Sequence, residues 1–423
     1  MERLSSRGAG GVRLRRLGGD RAGEIRLKRF LSNPRVRPEE MTARARAHLL
    51  TRVAGRELLV VQDTTSLRDD GNKHGLYLHP AIVLDAADGA LLGLLTADFL
   101  MHDDSPKPHC NQRRLEQKES RRWVEVTELA GDLLAAGARS VRMIADREAD
   151  IYETFACRPE GVAVLVRAHH DRRLSDGGSL FEACQQETTA LGQTTLDLPS
   201  ASSRPARTAK VDLHACRISI RRPKRNRAEL TAGLPRSVEL TLVEARETAP
   251  PAGKTPLHWR LLTTDPVEDF AAAQRVVALY RRRWTIEQVF RVMKTQGFDI
   301  EAVPIRETMA LKNLACATLI AAIQVQQMLH DRDGLAGRPM DDVFSAGQQP
   351  MIEAIGQTLE GSTQRQKNPH PPATLASLTW ICARLGGWNG YYGKPGPIVL
   401  ARGLTRLQTM IEGITRFGLV RIL

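Results

Sequence analysis

Hydrophobic positions along the chain switch between runs that suit strands and a spacing that suits helices. Glu57 to Gln62 (ELLVVQ) and Ser140 to Ala145 (SVRMIA) are short apolar runs and predict buried strands. Leu76 to Leu84 and Leu91 to Leu100 predict two more, separated by the turn signal Asp88-Gly89. Glu24 to Leu50 predicts helix with a break at Asn33-Pro34, and Glu119 to Ala136 predicts one helix. Strand-like runs at Val162 to Val166, Lys210 to Ile218 and Ser237 to Val243 alternate with Gly-, Pro- and Ser-rich turns, one of them strongly basic (Arg221 to Arg227, RRPKRNR). This texture predicts a β-rich insertion, after which Trp259 to Thr263 returns to a core-like strand. Residues 308–330 predict an apolar helix, and 334–372 loops with short helices. A last helix from Leu404 places Leu404, Leu407, Ile411 and Ile414 on one stripe, either a pairing seam or a packed face.

The most informative stretch is Ala273 to Phe298, which reads as one amphipathic helix. At about 100° per residue, Tyr280, Arg283, Glu287 and Lys294 share a stripe that also takes in Trp284 and Arg291. Leu279, Ile286, Val289, Phe290 and Met293 form an ordinary core face. A solvated face with intrahelical ion pairs accounts for the charges but not for large aromatics among them. A single carboxylate ringed by cations suits a metal ligand beside a phosphate. Two strands supply possible partners, since ELLVVQ ends at Asp63 and SVRMIA at Asp146. In an α/β sheet that end of a strand is where sites are built, although one such Asp also serves as an ordinary helix cap.

Composition narrows the ligand. A chain of 423 residues with 42% hydrophobic content is globular and long enough for two to three domains. Its net charge of +13 points to a polyanion, most simply nucleic acid. The N-terminal stretch to Phe30 holds nine Arg or Lys against three acids, and residues 1–23 read as a basic arm. No signal peptide is apparent, and the longest apolar run, Leu314 to Met328, is interrupted by Gln324, Gln326 and Gln327, so no membrane span is expected. The six cysteines lack a C-x-x-C pair and read as buried and reduced, in keeping with a cytoplasmic, nucleoid-associated protein. His109-Cys110 and His214-x-Cys216 are isolated pairs, weak as metal ligands.

Asp63, Asp146 and Glu287 thus form a three-carboxylate set, which calls for a hard cation. Two Mg²⁺ ions are the chemistry of phosphodiester transfer without a covalent enzyme intermediate, with Mn²⁺ as a substitute. Tyr280, Arg283, Lys294 and Arg291 would grip phosphates, and Trp259 and Trp284 offer stacking surfaces for an unpaired base, core packing being the plainer reading for either Trp alone.

These residues resemble the DDE transposases of bacterial insertion sequences. Asp63 in DTT, Asp146 in DREADIYE, and Tyr280, Arg283, Glu287 and Lys294 at spacings of three, four and seven match the signature of the IS-four family, which includes the Tn-five transposase. Lys118-Glu119-Ser120 with Trp123, the segment Pro256 to Thr264, and Leu385-Gly386-Gly387 support the resemblance, which runs from about Ile25 to Phe417. It implies an α/β, RNase H-like catalytic core at 51–160 and 257–333, a β-rich insertion at 161–256 and a C-terminal helical pairing region at 334–423. It implies cut-and-paste transposition of double-stranded DNA by a homodimer: nicking, a hairpin at the transposon end, its reopening and strand transfer. Trp259, 21 residues before Tyr280, takes the place of the family's base-stacking tryptophan. Residues 1–50 match only the last part of the family's end-reading helical domain, around Arg26 to Val36, so weak preference for transposon ends is expected. A generic metal-dependent nuclease and a non-catalytic DNA-binding regulator are the alternatives.

Overall fold

The computed structural model describes residues 14–68, 75–101, 113, 115–186, 190–198, 206–224, 231, 233–253, 255–391 and 393–416. In chain order the elements are α1 (Leu14–Leu17), α2 (Arg21–Leu31), α3 (Pro38–Leu50), β1 (Glu57–Gln62), β2 (Thr65–Arg68), β3 (Leu76–Asp85) and β4 (Leu91–Met101). They continue with α4 (Arg121–Leu129), α5 (Gly131–Ala135), β5 (Ser140–Ala145), α6 (Tyr152–Ala156), β6 (Val162–Arg167), α7 (Leu180–Gln186), β7 (Gly192–Leu198), β8 (Arg207–Arg221), β9 (Ser237–Glu247) and β10 (His258–Thr263). Helices complete the chain: α8 (Phe270–Arg281), α9 (Trp284–Lys294), α10 (Thr308–His330), α11 (Gln349–Thr358), α12 (Leu375–Leu385) and α13 (Pro397–Arg416). Two compact units result, a strand-rich one within 53–63 and 103–284 and a helical one within 1–52, 64–102 and 285–423.

In the strand-rich unit the strands run β1-β5-β6-β10-β9-β8-β7. β1, β5 and β6 are parallel, and the rest pair antiparallel. The parallel strands are the near-continuous apolar runs of the sequence, as expected for strands covered on both faces. Trp123 of α4, Tyr152 and Phe155 of α6 and Val164, Leu242 and Leu262 of the sheet share one core. Arg142 of β5 clasps Asp265, just past β10, with two hydrogen bonds of 2.8 Å. Burial alone would raise the Asp265 carboxyl, but Arg142 and the Thr263 hydroxyl outweigh it and hold it below the usual carboxylate range. A depressed carboxyl stabilises the fold above its unfolded pKa of about 4, and that stability is lost as pH falls through the folded value. Asp265→Asn should therefore cost about 1–2 kcal/mol at pH 7 and flatten the acid limb of a melting temperature against pH curve.

The helical unit holds the antiparallel meander β2-β3-β4 and is centred on α10. Asn313 of α10 donates 2.8 Å hydrogen bonds to the carbonyls of Leu31 and Val36, fixing the turn between α2 and α3. By length and composition the 23-residue α10 is apolar enough to cross a membrane, which the glutamine-interrupted run did not suggest. Its apolar surface is spent on packing against α2, α3, β4, α12 and α13.

Several expectations need correction. Within the expected arm, residues 14–17 are helical and α2 starts at Arg21, three residues before the expected helix, while residues 1–13 lie outside the described residues. The helix expected over Glu119 to Ala136 is two, α4 and α5, and α12 was not foreseen. The last helix begins at Pro397 rather than Leu404, and its stripe is consumed at home: Leu404, Leu407 and Ile411 are buried within the unit, where α13 packs on α10 and α12. Gly403 is required there, because a Cβ would sit 1.7 Å from the Cys382 carbonyl oxygen. Three of the four stripe residues are thus core residues of this unit, and Ile414 is half-buried. Leu407→Ala should cost about 2–5 kcal/mol in thermal unfolding. An unchanged melting temperature with altered sedimentation would restore the pairing role.

Candidate active site

The register of the parallel strands builds the site. Val61 of β1 lies opposite Ile144 of β5, so two residues on, Asp63 comes level with Asp146. Ala145 lies opposite Val166 of β6, so Asp146 in turn comes level with Arg167. Three adjacent parallel strands therefore end in Asp63, Asp146 and Arg167. The sequence reading missed Arg167, although VAVLVR closes on a charge just as ELLVVQD and SVRMIAD do. Asp146 also caps the short 3₁₀ turn Arg147–Ala149, accepting from the Glu148 amide at 2.9 Å. Burial lowers the Arg167 pKa, as do the nearby charges of Arg147 and Arg283, while Tyr280 and Asp146 act the other way.

The helix expected from Ala273 to Phe298 is two. α8 ends at Arg281, Arg282 and Arg283 close tight turns onto Leu279 and Tyr280, and α9 starts at Trp284. At this break Arg283 pairs with Asp63, its Nη1 2.8 Å from Oδ2. Tyr280, expected on a polar stripe, is buried at the end of α8, and burial raises its hydroxyl pKa. Trp259 is buried as well, with edge-on ring contacts to Tyr280 at 5.3 Å and Trp284 at 6.1 Å. Asp63, Asp146, Arg167, Trp259, Tyr280, Arg283 and Trp284 all belong to the strand-rich unit.

Glu287, Arg291 and Lys294 lie on α9 in the helical unit. Glu287 is half-buried in the first turn, Arg291 is exposed, and Lys294 is paired with Glu301 at 2.7 Å. Among the described residues, no group of three or more His, Cys, Asp and Glu side chains could hold a metal ion. His109 and Cys110 lie outside the described residues. His214 is buried, and Cys216 packs against the strand-rich core. Cys316 and Cys382 are buried, whereas Cys157 and Cys216 are only partly so.

Residues 127–323 match the family model described as a transposase DDE domain. The chain therefore carries a DNA-modifying catalytic domain of the DDE transposases. Its sheet with flanking helices and its helical C-terminal region are those of an RNase H-like DDE fold with insertions. DDE domains use divalent-metal catalysis. Asp63 and Asp146 lie level on neighbouring strand ends, and their carboxylates are hard oxygen donors of the kind a divalent ion takes.

Proposed function

We propose that this chain, through its transposase DDE domain, carries out cut-and-paste transposition of double-stranded DNA in the bacterial cytoplasm. The observation that carries the reading is the row Asp63, Asp146, Arg167 on adjacent parallel strand ends, of which Asp146 and Arg167 lie in the stretch 127–323 that matches that domain. Asp63 and Asp146 are the residues that would hold Mg²⁺, and Glu287 is the third acid that the resemblance implies. When bound, the metal supplies an activated oxygen nucleophile and charge stabilisation at the leaving oxygen.

The protein's own groups do the remaining work. Arg283 holds the Asp63 carboxylate in place through their ion pair. Arg167 presents a cation beside Asp146, where a scissile phosphate would bear its charge. Lys294 and Arg291 on α9 add cations for the DNA backbone. Trp259, Tyr280 and Trp284 form an aromatic cluster on which a displaced terminal base would stack while the strand folds into a hairpin. The active species is a pair of copies on two DNA ends.

An end-labelled duplex of the transposon terminus, incubated with Mg²⁺, should give a nick followed by a hairpin. A nick that never proceeds to a hairpin or a joined product would identify a simple nuclease. Sedimentation with DNA ends should give two chains on two ends, and a single chain on one end would remove the pairing.

A further inference from the structure

We propose that the β-rich part of the strand-rich unit carries a separate DNA-backbone site, a basic cavity of about 650 Å³ between the loop after β6 and the end of β8. None of its lining residues belongs to the carboxylate row. Its cations are Arg172, Arg173, Arg221, Arg222 and Lys224, and its one carboxylate is Asp171.

The charges do not balance. Arg172 is settled on the buried Asp150, at 2.9 Å from Nε and 2.7 Å from Nη2. Asp150 also accepts the amides of His169 and His170, which fixes the loop. Asp171 accepts the Phe181 amide at 2.9 Å. Arg222 donates to the carbonyls of Thr231 and Leu234, partners that hold its guanidinium without neutralising it. Arg173 and Arg221 are joined by a 2.9 Å main-chain hydrogen bond, so two like charges stem from adjacent backbone. Among the described residues, no carboxylate pairs with Arg173, Arg221, Arg222 or Lys224.

Cations fixed around a concavity focus the field and favour an anionic occupant. Guanidinium pairs suit phosphate oxygens, and duplex DNA presents one charge per about 1.7 Å of axis, enough to meet several of these cations at once. A phosphodiester backbone answers a spread of four uncompensated cations better than one small anion does. The assignment rests on the DNA substrate of the proposed function and adds a second point of grip to it.

The test is the salt dependence of duplex binding by the full chain. Each lost phosphate contact lowers the slope of log K against log salt by about 0.9, so Arg173→Ala/Arg221→Ala should lower it by about 1.8. Lys210→Ala/Arg217→Ala, an equal charge loss on β8 outside the cavity, should leave the slope near wild type. An unchanged slope in the first variant, or equal falls in both, would overturn the site. Titration with inorganic phosphate supplies a third arm. Saturable phosphate binding lost in the Arg173/Arg221 variant, with an unchanged DNA slope, would mark a small-anion pocket and overturn the DNA assignment. Failure of the wild-type chain to bind duplex at all would overturn the proposed function along with it.

Discussion

Asp146→Asn is expected to abolish Mg²⁺-dependent nicking, by at least about 10²–10³-fold, while melting like the wild type. The asparagine loses the charge a divalent ion requires, but its Oδ1 still accepts the Glu148 amide that Asp146 now caps. Asp63→Asn should lose nicking to the same extent and also lose about 1–3 kcal/mol of stability, because Arg283 forfeits a 2.8 Å ion pair in which both side chains are largely buried. Neighbouring acids on neighbouring strands thus give different melting temperatures with one catalytic outcome. Nicking and thermal melts of the two purified variants check this. Normal nicking by either would remove that residue from the site, and equal melting temperatures would show that the Arg283 pair adds nothing to the fold.

Trp259→Ala should lower stability by about 3–5 kcal/mol, since the side chain is buried and contacts both Tyr280 and Trp284. A change of that size obscures any role in hairpin formation. Trp259→Phe keeps an aromatic ring in the cluster and separates the two effects. It should melt well above Trp259→Ala, since less volume is lost, nick normally and form hairpins more slowly, because a smaller ring stacks a displaced base less well. Normal hairpin rates in Trp259→Phe would leave Trp259 as a packing residue only.

Much of this was legible from period and strand ends. The two aspartates stood out because buried strands are continuous apolar runs, so the first charge after each marks its end. Arg167 ends β6 in the same way, but one basic residue does not stand out in a chain with 61 Lys and Arg. Helical phase misled where tertiary contacts override it. The stripe through Tyr280 and Glu287 presumes an unbroken helix, whereas the Asp63–Arg283 pair, 220 residues apart in sequence, accompanies a break there. The stripe from Leu404 to Ile414 had the right period, but period cannot say whether a partner face lies on the same chain or another. The cavity of Arg173, Arg221 and Lys224 depends on a loop meeting a strand end about fifty residues later, which no local pattern reveals.

On the proposed function, this chain joins DNA and does not merely cut it. The direct measurement is strand transfer: a labelled duplex with a free 3′-hydroxyl at the transposon end is incubated with target plasmid, Mg²⁺ and protein. The wild-type chain should give a labelled joined product and Asp146→Asn none. Cut DNA without joined product, or joining that survives Asp146→Asn, would contradict it.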